Sequence, residues 1–138
     1  MIQFTVREVN PLSMYDGQVY TQRVLVELND GSEVHIEDPG CDIDESMIDS
    51  LLTASVVGQS VTDISSNKEK IMKFEQTKGG GADLFGKVAS IDLDRDFPVT
   101  IEIAKSTVHV DIHDIEDLAV GDWVAINGTT LYIDTISR

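Results

Sequence analysis

His109, Asp111 and His113 stand at alternate positions and are the side chains of this sequence best typed for chemistry. Alternate residues of a strand share a face, and two imidazoles with a carboxylate suit zinc, iron or nickel. The opposite set, Val108, Val110 and Ile112, is apolar. A one-sided strand would turn the His109 face to water in any case, so plain solvation competes with metal binding. Same-face neighbours also stand about 7 Å apart, wide for one ion unless the strand curves.

Other constellations fail on a missing partner. Asp92-x-Asp94-x-Asp96 begins like a calcium loop, but Phe97 and Ile103 occupy the places of its glycine and its final glutamate. Lys78-Gly79-Gly80-Gly81 lacks the Gly-Lys-Ser/Thr ending of a phosphate loop and reads as a linker. No serine sits in a G-x-S-x-G setting. Cys41 is the single cysteine, so there is neither an intrachain disulfide nor a cysteine zinc cluster. No cofactor is expected.

Charge is the strongest compositional fact. Twenty-five acids face ten bases, for a net charge of −15. Residues 1–75 hold 14 acids and 5 bases and residues 76–138 hold 11 and 5, so the excess is spread along the chain. Such a surface repels phosphate backbones, and nucleic acid is not an expected partner. No stretch approaches the ~20 apolar residues that span a bilayer, and the N-terminal charges do not fit a signal peptide. A cytoplasmic or virion location is expected.

The elements that must position these residues are strands. Ile2, Phe4 and Val6 alternate, and Pro11 to Gly17 reads as a loop with an Asp16-Gly17 turn. Val24, Val26 and Leu28 lead through Asn29-Asp30-Gly31 into a second strand over 33–37. Asp44, followed by Met47, Ile48, Leu51 and Leu52 at three- and four-residue spacing, predicts one helix over about 44–54. The glycine run at 76–83 divides a first β unit, 1–75, from a second, 84–138. In the second, five short strands are expected, the last two joined as a hairpin at Asn127-Gly128. The fold class is mainly β: two small barrel-like units, packed closely because each alone would be marginal.

The units also echo each other. Val34-His35-Ile36-Glu37 has a twin in Val108-His109-Val110-Asp111, each following an apolar strand and preceding a Val-Gly pair, Val57-Gly58 and Val120-Gly121. Only the later copy has a second histidine.

Two resemblances follow. Gly86-Lys87-Val88-Ala89-Ser90-Ile91-Asp92 is similar to the first strand of OB modules in tailed-virus baseplate and spike proteins. Leu118 to Gly128, where a Gly-Asp turn feeds an apolar strand, resembles the fourth strand of OB-fold and SH3-like barrels. The resemblance covers residues 84–136 and assigns no functional residue. The acid-rich, lysine-poor composition resembles that of halophilic proteins.

The resulting expectation is a non-enzymatic assembly protein, acting through protein contacts as a homo-oligomer or within a larger particle. A connector, baseplate or capsid-surface component of a halophilic tailed virus is the concrete form. Trp123, Tyr132 and Phe97 are the expected contact surface. One alternative is an OB-type module for single strands, with Lys87, Arg95 and Lys105 beside exposed aromatics. The other is a metal-dependent enzyme built on His109, Asp111 and His113.

Overall fold

The computed structural model describes residues 1–61 and 63–137. Its strands are β1 (Ile2–Tyr15), β2 (Gln18–Leu28), β3 (Glu33–Asp38), β4 (Leu51–Gln59), β5 (Asp63–Ser66), β6 (Lys73–Gln76), β7 (Ala82–Ile91), β8 (Val99–Ile103), β9 (Ser106–Val110) and β10 (Trp123–Ser137). The protein is mainly β, as expected, and the hydrogen-bonded strands close on themselves.

They close twice. β1, β2 and β3 form an antiparallel meander; β4 pairs with β1, β10 pairs with β4, and a parallel bridge from Tyr132 to Glu37 returns to β3. β7, β8 and β9 form a second meander; β10 pairs with β7, and β4 pairs in parallel with β9 at Val57–His109 and Gly58–Val110. Two five-membered rings therefore share the antiparallel β4–β10 pair. Each ring is a meander closed by its own fourth strand and by the fourth strand of the other half.

The twin sequence motifs occupy equivalent places in this scheme. Val34 and Ile36 in β3, and Val108 and Val110 in β9, are fully buried, each facing its own ring. The correspondence extends to an irregularity: within the ring, the first strand of each meander breaks register, between Val6 and Glu8 in β1 and between Val88 and Ser90 in β7. Such a bulge bends and twists a strand, which ring closure requires.

The helix expected over 44–54 is instead a single 3-10 turn, Glu45–Met47. Asp44 does cap it, accepting from Ser46 N at 2.9 Å. The chain is then captured by the β1 bulge: Asp49 N donates to Val6 O at 2.7 Å and Val6 N to Ser50 O at 3.1 Å. Leu51 thereby enters the ladder opposite Thr5. Ile48 and Leu51, half of the apolar stripe that suggested a helix, remain exposed. Strand pairing overrode the helical spacing.

Asn127-Gly128 is not a hairpin turn, and residues 84–138 contribute four strands rather than five. β10 runs straight through the dipeptide, its first part flanked by β5 and β7 and its second by β4. Register is lost between Ile126 and Thr129, and Gly128 adopts φ 69°. The extra residue reverses the phase of burial: Val124 and Ile126 are buried before it, Thr129, Leu131 and Ile133 after it. The same Asn-Gly preference for left-handed backbone serves a bulge as well as a turn. Substitution should rank accordingly. Gly128→Val is expected to lower stability by about 1–2 kcal/mol, and Gly128→Asn by less. Urea midpoints that fail to order glycine above asparagine above valine would contradict the bulge.

Nor is the glycine run a free linker. Thr77 N donates to Gly81 O at 3.0 Å, making residues 77–81 the turn of the β6–β7 hairpin. Gln76 bolts that turn to the first meander: its Oε1 accepts from His35 N at 2.7 Å, and its Nε2 donates to Gly81 O at 2.9 Å. Around buried Thr129 the backbones crowd together. A Cβ on Gly58 would lie 2.9 Å from Thr129 Oγ1, and one on Gly81 would lie 2.9 Å from Thr129 O. The apolar interior of both rings is one contiguous cluster.

Candidate interaction surfaces

Beyond the rings, β1 and β2 continue as a two-stranded arm. β1 pairs with β4 only through Thr5, and β2 pairs with β3 only from Gln22 onward. Residues 12–15 and 18–21 thus have only each other as strand partners, a ribbon of roughly 13 Å at strand spacing. Asp16 and Gly17, at φ 51° and 77°, make the two-residue turn with left-handed backbone that matches strand twist. Ser13 and Thr21 share a hydroxyl hydrogen bond of 2.7 Å across it. Pro11 is tolerated because this part of β1 has one neighbouring strand, leaving an edge that asks for no donor. The segment expected as a loop, Pro11 to Gly17, is thus the end of β1 and its turn.

The arm exposes large apolar side chains: Leu12, Met14 at 59%, Tyr15 at 68% and Tyr20 at 50%. Across residues 9–22 the only charge is Asp16, in a chain where a quarter of all residues are charged. That contrast is visible in the sequence, as a gap in charge that neither aromatic nor metal-ligand residue types mark.

The expected metal ligands are not gathered. His109 lies in β9 with Nδ1 2.8 Å from Thr100 Oγ1 of β8. Burial lowers its pKa below the ordinary histidine value, Arg95 and the N-terminal amino group add to this, and Asp134 opposes it. Asp111 and His113, past the end of β9, pair with one another. Among the described residues no three or more His, Cys, Asp or Glu side chains are placed to hold a metal ion.

The three expected contact aromatics lie on separate parts of the fold. Trp123 opens β10, partly covered, with the Lys87 ammonium 5.8 Å from its ring centre. Ala125, two residues further along the strand, is buried. Tyr132 is nine residues further along, about 30 Å at strand spacing; burial raises its phenol pKa, and Glu37 adds to the effect. Phe97 sits in the β7–β8 turn. Of the cations expected to flank aromatics, only Lys87 does so. Arg95 pairs with Asp92 at 3.4 Å, and Lys105 lies in the β8–β9 turn.

Comparisons with protein-family models, curated proteins and solved structures find no match to this chain. No helix among the described residues is long and apolar enough to cross a membrane.

Proposed function

We propose that the protein is a non-enzymatic assembly component whose β1–β2 arm docks onto a neighbouring protein subunit, in the first instance a second copy of the same chain. The carrying observation is the contrast between an arm with one charge, displaying Leu12, Met14, Tyr15 and Tyr20, and the chain's overall net charge of −15. A cluster of exposed large apolar side chains on one arm marks a surface suited to protein contacts. Two acidic bodies repel, so copies meet most easily through the segment that lacks charge. A connector, baseplate or capsid-surface role in a salt-adapted particle is the form of assembly this reading favours.

The sign of the salt dependence tests it. Screening shortens from about 10 Å at 0.1 M salt to about 3 Å at 1 M, so contact between like-charged copies should strengthen with salt. Sedimentation velocity of the parent protein is expected to show oligomers that grow with salt. Replacing Leu12, Met14, Tyr15 and Tyr20 together by serine should leave a folded monomer at both concentrations. A parent that stays monomeric throughout, or a serine variant that assembles like the parent, defeats the proposal.

A further inference from the structure

The second ring has a strand-shaped gap in its wall. β4 pairs with β9 at residues 57–58, and Asp111 N still donates to Gly58 O at 2.9 Å. There the two chains part. One continues into β5, which is hydrogen-bonded as a strand to β10 alone, and the other into residues 111–118. Between them lies a cleft of about 890 Å³, lined by all four residues of β5, by Asp111 to Asp114 on the far side and by Trp123. Every β5 residue is exposed. Among the described residues no strand pairs with its outer edge, an edge of the kind that accepts an added strand.

The chemistry of the walls specifies the occupant. Asp63, Asp111, Asp114, Asp117 and Asp122 line the cleft against Lys68 and Lys70. Asp122 is engaged with Ala119 N at 2.9 Å, and Asp111 with His113. No salt bridge of Asp63, Asp114 or Asp117 is seen among the described residues. A second copy of this chain is a poor fit, since its arm carries one charge, and that one negative, and its ten bases are scattered among twenty-five acids.

We propose that this cleft receives an extended, lysine- or arginine-bearing segment of a different protein, added as a strand to the free edge of β5. Backbone hydrogen bonds to β5 would supply the register, and the aspartates would hold alternate basic side chains. The site is separate from the arm and does not depend on how the arm is used.

Trp123 is the only tryptophan in the chain and lines the cleft, so its fluorescence reports occupancy directly. The probe is a synthetic peptide of about eight residues, a usual strand length, alternating lysine and valine. It is expected to bind saturably at low salt, with affinity falling about tenfold or more at 1 M salt, where screening is nearly complete. The Asp114→Asn/Asp117→Asn double variant, altered at two exposed positions, should weaken binding similarly, and a glutamate–valine peptide should not bind. Two further peptides, N-methylated on alternate residues along one edge or the other, separate strand addition from simple charge attraction. One of the two must lose binding. Absence of saturable binding by the lysine peptide, or full binding by both methylated peptides, overturns the proposal.

Discussion

Gly86→Ala is expected to destabilise the protein by about 3 kcal/mol, the upper part of the range for overpacking a closed core. Gly86 is buried in β7, where a Cβ would press into the carbonyl oxygen of Glu102 and stand 2.9 Å from Ile101 Cγ2 and Ile103 Cγ1. A backbone oxygen in a ladder cannot rotate away as a side-chain tip can. The register explains the arrangement. Gly86 pairs with Val124 of β10 as Phe4 pairs with Leu52 of β4, so the two residues occupy matching places in the two rings. In the first ring Phe4 fills the interior; in the second, Ile101 and Ile103 take that space and the first strand of the meander gives way. A loss of this size should lower the melting temperature by roughly 10 °C for a chain of this length. A thermal melt within about 2 °C of the parent would show that β7 does not approach β8 so closely.

Dividing the chain should be more damaging still. Separate fragments 1–76 and 77–138 are each expected to lack a cooperative thermal transition. Neither ring can close within one fragment, because the first needs β10 and the second needs β4. Each fragment would expose the β4 or β10 edge together with apolar residues now buried, Val56 in one and Leu131 in the other. At about 60 residues a domain has little surplus burial with which to absorb such a loss. Near-ultraviolet circular dichroism of the 77–138 fragment, which contains Trp123, is the direct measurement. A sigmoidal melt from either fragment alone would refute the shared-ring architecture.

Local pairing was legible in the sequence, and long-range closure was not. The alternation of Val24, Val26 and Leu28 and of Val108 and Val110 marks strands because each has one inward face. The repeated Val-His-Ile/Val-acid motif marks equivalent strands for the same reason. Nothing local states that β4 pairs with β9 or that β3 meets β10, since these contacts join residues far apart in the chain. The misread segments share one cause. Met47 to Leu52, Pro11 to Gly17 and Asn127-Gly128 carry helix, loop and turn signals, and each was overridden by a neighbouring strand or by the lack of one. The surface was harder to read. Histidine and tryptophan drew attention by type, whereas the arm is distinguished by the charges it lacks.

The near-equivalence of the two rings has a consequence for symmetry. The long β1–β2 arm has as its counterpart the short β7–β8 turn, an acidic loop containing Asp92, Asp94 and Asp96. A dimer of identical halves would present two arms related by a two-fold axis and could satisfy both in a closed pair. The fused chain has one arm and is therefore a polar object, with a head and a tail. If the arm grips the body of a neighbour, as proposed, two copies can close by exchanging arms about a two-fold axis, or the contact can pass on around a ring or along a fibre.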